Sequence, residues 1–111
     1  MQMTQTELEN GTLKVTLTGP FDIAGAGDVD LPFSVIAGRA QKVIVDFTAV
    51  DFLASIGVRV LVKTAKPIDK RGGKMALFGV NEAARKVLSA TGVDTLIPVV
   101  EDEASARAAV A

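Results

Sequence analysis

The sequence contains no cysteine, no histidine, no tryptophan and no tyrosine. Without cysteine there is no disulfide framework, no thiolate nucleophile and no thiolate metal site. Without histidine the commonest general base and the commonest zinc ligand are missing, so Ser–His and Cys–His chemistry cannot run within the chain. Aromatic residues make up 5% of the chain and all are phenylalanine, which offers no stacking platform for single-stranded nucleic acid. A formal net charge of −1 produces no field that would draw the protein to nucleic acid or to an anionic membrane. No apolar run approaches the length of a bilayer span, and Met1 to Asn10 lack the charged-then-apolar plan of a signal peptide. The expected compartment is the cytoplasm, with no membrane partner, metal or cofactor. Carboxylate or lysine chemistry is the only catalytic route left open.

What is present suits one domain spanning residues 1–111: 49% apolar and 23% charged residues can fill and solvate one core. Leu13, Val15 and Leu17 alternate with Lys14, Thr16 and Thr18, the period-two pattern of a half-buried strand that Gly19-Pro20 stops. Met3 to Glu9 pairs with it as an edge strand through Asn10-Gly11, a hairpin dipeptide. Val43-Ile44-Val45 and Phe47 read as a central strand covered on both faces. Val58, Leu61, Val62 and Ala65 then mark the clearest amphipathic helix, whose last turns Pro67 threatens. Met75 to Val80 is another buried strand. A helix capped by Asn81 and closed by Gly92 follows, then a short edge strand within Leu96 to Val100 and an Ala-rich helix after Glu101-Asp102-Glu103. Between Asp22 and Ala40 the pattern is poor, and a helix is expected only from about Asp30 to Arg39, preceded by a flexible glycine-rich loop. Repeated strand–helix alternation predicts an α/β fold, a mixed four- to five-stranded sheet with crossover α-helices.

Few residues here carry chemistry. Ser55 lies just before the periodicity of the best helix, where a hydroxyl caps the first amides. A phosphate on the same hydroxyl would meet unpaired N–H groups and the positive end of the helix dipole, so the position also tolerates a phosphoserine. Asp22, Asp28 and Asp30 are read as turn carboxylates, since their spacing is not that of a calcium loop. Gly25-Ala26-Gly27 lacks the third glycine and the Lys-Ser or Lys-Thr of a nucleotide loop. Lys66, Lys70, Arg71 and Lys74 are read as a solvated face. A small enzyme built on Asp22, Asp28 and a lysine has no recognisable motif, so no catalytic residue is assigned.

The stretch Val43-Ile44-Val45-Asp46-Phe47 through Asp51-Phe52-Leu53-Ala54-Ser55-Ile56-Gly57-Val58 resembles the core signature of STAS domains. Leu17-Thr18-Gly19-Pro20-Phe21-Asp22 upstream, Arg71-Gly72-Gly73-Lys74-Met75-Ala76-Leu77 and Val87-Leu88-Ser89-Ala90-Thr91-Gly92-Val93 extend the likeness over nearly the whole chain. The resemblance implies a single STAS domain acting as an anti-sigma-factor antagonist. Such a protein binds a GHKL-type serine kinase that doubles as the anti-sigma factor. The kinase inactivates it by phosphorylating the signature serine, and a PP2C-type phosphatase restores it. On that likeness Ser55 is the phosphorylated residue and Asp22 the family's aspartate beside it, with Ile23, Ala54, Ile56 and Gly57 at the partner-binding surface. Phe21, Ile23, Phe52, Leu53 and Ile56 supply apolar area around the switch, and of these Ile23 and Ile56 are expected to be the exposed ones. Ala54 stands where the family has Asp, Ile56 replaces a small or hydroxyl residue, and the Gly25 to Pro32 segment departs from the family's regular first helix. A non-switching STAS scaffold, or a subunit of a lipid-transport ATPase complex, is the alternative. Largely polar helix faces favour a monomer.

Overall fold

The computed structural model describes residues 1–111. Its elements are β1 (Gln2–Glu7), β2 (Thr12–Thr18), α1 (Ile23–Arg39), β3 (Lys42–Ala49), α2 (Ser55–Lys70), β4 (Lys74–Phe78), α3 (Glu82–Ala90), β5 (Val99–Val100) and α4 (Glu103–Val110). The strands form one mixed sheet in the order β1-β2-β3-β4-β5, with β1 antiparallel to β2 and the other neighbours parallel. The expected order of strands and helices is thereby found, at five strands. The antiparallel pair closes with Glu7 opposite Leu13, and a single 3₁₀ turn over Glu9–Gly11, with Asn10 at φ 62°, makes the link.

Side-chain alternation divides the core between the two faces of the sheet. Val43, Val45 and Phe47 of β3, with Met75 and Leu77 of β4, enter the larger cluster, which also holds Phe33 and Ile36 of α1, Leu61 and Ile68 of α2, and Leu88 of α3. Ile44, Ala76 and Phe78 point the other way and are covered by Ala106 and Val110 of α4. The run Val43-Ile44-Val45 is apolar at every position because this central strand has no solvated face. α4 is also tied down electrostatically. Lys14 Nζ of β2 sits 2.7 Å from Glu103 Oε1, and Arg107 one turn on bonds the other carboxylate oxygen. Those two bonds, Lys14 first, hold the Glu103 carboxyl below its ordinary range.

Two segments differ from the sequence reading. α1 begins at Ile23, a full two turns before Asp30, because the Asp22 carboxylate caps it by accepting the Gly25 N–H at 2.8 Å. The glycine-rich stretch is therefore the first turns of a helix and not a loop. Pro67 stays inside α2, which continues to Lys70, so the missing N–H costs a hydrogen bond without ending the helix. Nor is the basic group after α2 uniformly solvated: the Arg71 guanidinium donates to the Ala37 and Ala40 carbonyls and satisfies the last turn of α1.

Candidate functional site

Beyond the ends of β2 and β3 the two chains keep running side by side. The Gly19 N–H donates to the Ala49 carbonyl at 3.0 Å, the Phe21 N–H to Phe52 at 2.8 Å, and the Ala54 N–H to Phe21 at 3.0 Å. Phe21 and Leu53 form a parallel bridge outside the sheet, and this zipper makes α1 and α2 start next to each other. Their side chains plug the space beneath, Phe21 fully buried and Leu53 nearly so, with the Phe21 ring centroid 6.3 Å from that of Phe47.

Both first turns are drawn down onto this plug, and glycine is what allows it. A Cβ on Gly57 would lie 2.8 Å from the Phe21 ring and 2.9 Å from Leu53 Cδ1. One on Gly25 would lie 2.3 Å from the Pro20 carbonyl oxygen. Gly25 thus serves close helix–loop packing, while Gly27 faces open space.

The zipper also decides how α2 starts. Backbone pairing holds the chain extended through Ala54, which becomes the N-cap and has no side-chain oxygen to cap with. Ser55 is the first helical residue and not the cap the sequence suggested. Its side chain is exposed, and its hydroxyl is not committed to a capping bond. Helical bonding begins with the Gly57 and Val58 amides on the Ala54 carbonyl, which leaves the Ser55 and Ile56 N–H groups without backbone partners.

Around Ser55 the surface is largely apolar. Ile23 is 76% exposed and Phe52 54% exposed, while Ile56 is half-buried and packs against the core. Ile23 meets the expectation from sequence; Ile56 does not, and Phe52 takes its place. Alternation held the clue: with Leu53 bridged inward to Phe21, its neighbour Phe52 must point out. A groove of about 290 Å³ runs between α1 and α2, floored by Ile23, Ala26, Ile56 and Val60. Asp30, Arg59 and Lys63 also line it, and Lys63 Nζ bridges to Asp30 Oδ1 at 2.9 Å.

The three aspartates do not converge. Asp22 caps α1, Asp28 binds the Met1 amine at 2.7 Å, and Asp30 is paired with Lys63. No three acidic side chains are grouped as a cation would require. The site therefore presents one accessible hydroxyl beside unpaired amides, set in an apolar rim.

Comparison with known proteins bears on the family and the fold. An anti-sigma F factor antagonist of Paenibacillus polymyxa is 27% identical over 106 residues, covering 92% of this chain and 91% of its own. The crystal structure of an anti-sigma factor antagonist from Mycobacterium paratuberculosis superposes with a TM-score of 0.83 at 26% identity, over 98% of this chain and 94% of that one. The Bacillus protein SpoIIAA in its phosphorylated form gives a TM-score of 0.74 at 17% identity, over 97% and 99% of the two chains. No helix is long and apolar enough to cross a membrane. With the STAS domain model matching residues 3–106, zipper, capped helices and five-stranded sheet together, the chain belongs to the STAS domain family.

Proposed function

We propose that this protein is an anti-sigma-factor antagonist whose docking surface, centred on Ser55, is switched by phosphorylation of that serine. The observation that carries the reading is the exposed Ser55 at the first turn of α2, with the Ser55 and Ile56 amides unpaired and Ile23 and Phe52 standing out around it. The names of its relatives support the role, since two similar proteins are anti-sigma factor antagonists. SpoIIAA, which shares the fold, exists in both unphosphorylated and phosphorylated forms.

The mechanism follows from local electrostatics. The unmodified surface buries Ile23, Phe52 and the edge of Ile56 against a GHKL-type serine kinase that acts as the anti-sigma factor. Asp22 and Ala54, the two helix caps, fix the angle at which α1 and α2 meet that partner, and Gly57 keeps the turn close to Phe21. Phosphorylation adds roughly 1.5 to 2 negative charges at neutral pH. The free amides and the helix dipole accommodate that charge in the isolated protein, so folding is unchanged. Docking then forces the phosphate out of water against apolar groups, which weakens binding by about 2–5 kcal/mol, roughly thirtyfold or more. A PP2C-type phosphatase resets the switch. The protein is in this reading a binding partner and not a catalyst.

The test is capture of the partner kinase from the cells of origin on immobilised wild type, Ser55→Ala and Ser55→Asp. Capture by the first two and loss with Ser55→Asp is the expected result. Equal capture by all three would replace the switch with a constitutive scaffold.

A further inference from the structure

α1 has an outward face that the rest of the molecule leaves bare. At 3.6 residues per turn, Ala24, Gly27, Leu31, Val35 and Gly38 fall on the side opposite the buried Val29, Phe33 and Ile36. Leu31 lies at the centre of that side and is 74% exposed; Val35, one turn on, is 52% exposed. A monomeric surface helix places charged residues here, as α2 does with Arg59, Lys63 and Lys66 and α3 with Glu82, Arg85 and Lys86. On α1 the face carries only two charges, Asp28 near its start and Arg39 at its end. The premise behind a monomer, that the helix faces are polar, fails for this helix.

The placement of those charges selects the occupant. Asp28 and Arg39 lie on the same flank of the outward face, about 20° apart around the helix axis. A two-fold axis running across the helix pairs it antiparallel with a copy of itself and keeps each flank on its own side. Placed midway between Leu31 and Val35, that axis sets Leu31 against the partner's Val35, and Val35 against the partner's Leu31. The same operation, within one residue, sets Asp28 against the partner's Arg39 at both ends. Gly27 and Gly38 fall opposite each other and let the helices approach closely. A parallel pairing would instead oppose each residue to itself and exchange the flanks, so it separates the charges. Arg39 has no carboxylate partner within its own chain, and Asp28 uses one oxygen on the Met1 amine and keeps the other.

We propose that the outward face of α1, centred on Leu31 and Val35, is a self-association surface through which two copies of this chain pair antiparallel. One helix pair covers less than the roughly 1,200–2,000 Å² of a standard interface, so the dimer is weak and concentration-dependent. Ile23 lies eight residues from Leu31, about 12 Å along the axis, where the partner helix has already ended. Each Ser55 surface therefore stays open, and the dimer presents two of them at opposite ends. The inference does not depend on the phosphorylation reading.

The experiment is sedimentation velocity of the full chain over a concentration series from micromolar to millimolar. It uses the wild type, Leu31→Glu, Asp28→Arg, Arg39→Asp and the double swap, with circular dichroism confirming that each folds. Wild type should rise toward dimer mass. Leu31→Glu should remain a monomer throughout. Each single charge reversal should weaken association at least tenfold, and the double swap should restore it, which also controls for the lost Met1 contact. Wild type that stays monomeric at every concentration would overturn the proposal and leave the face to a different protein. A dimer indifferent to Leu31→Glu, or unaltered by the single reversals, would overturn it as well.

Discussion

Asp22 has a structural duty that is separable from its charge. Its carboxylate accepts the Gly25 N–H, and without that cap the glycine-rich first turn of α1 has little to hold it. Asp22→Ala should cost about 1 kcal/mol of stability, while Asp22→Asn, which caps equally well, should leave the melting temperature within a degree or two. Thermal denaturation of the two variants checks this, and partner capture by Asp22→Asn then reports on the charge alone. Capture retained by the Asn variant would confine Asp22 to positioning α1; capture lost at unchanged stability would place its charge at the interface. Ser55 is separable in the opposite sense. Because Ala54 is the cap, substituting Ser55 removes no capping bond, so altered binding in Ser55 variants reads the switch and not the fold.

At the scale of elements, α4 offers a pH-dependent test. The folded Glu103 carboxyl lies below its ordinary 4.5 because Lys14 and Arg107 bond its charged form. A depressed folded value means stability that is present in full above the ordinary value and is lost as pH falls through the folded one. Glu103→Gln should therefore melt slightly below wild type at neutral pH, and the two curves should meet on acidification from pH 4.5 downward. A gap that persists well below that range would mean that packing and not the ion pair holds α4. The elements also show how far the sequence could be read. Strands β2, β3 and β4 and helices α2 and α3 were legible because their apolar residues keep one period and their caps are local, Asn81 among them. The start of α1 was not, since glycines at 25 and 27 and a proline at 32 disguise it. The reason for Gly25, its close approach to the Pro20 carbonyl, shows only once the chain has turned into the helix, and the structure offers no such contact for Gly27. The site was legible in part. Place in the chain marked Ser55 only as a helix cap, the resemblance alone marked it as a phosphoacceptor, and its position as first residue and not cap depends on the Phe21–Ala54 backbone bond, which joins segments 33 residues apart. The exposure of Phe52 in place of Ile56 was missed for the same reason, as it is set by the bridge of Leu53 to Phe21.

For the molecule as a whole, the sheet gives two chemically different ends and faces. One face carries α1, α2 and α3 on the large core, and the other carries α4 on a cluster of five buried residues. The zipper between the β2 and β3 extensions lifts the starts of α1 and α2 to one end, so that recognition there needs no movement of the core. The proposed switch would act by changing charge on that surface. The most direct test is the intact mass of the protein isolated from its native cells under several growth conditions, beside a Ser55→Ala strain. The account predicts a population heavier by one phosphate in the wild type and absent from Ser55→Ala. Protein that is unmodified under every condition, or a phosphate that persists in the variant, would contradict it.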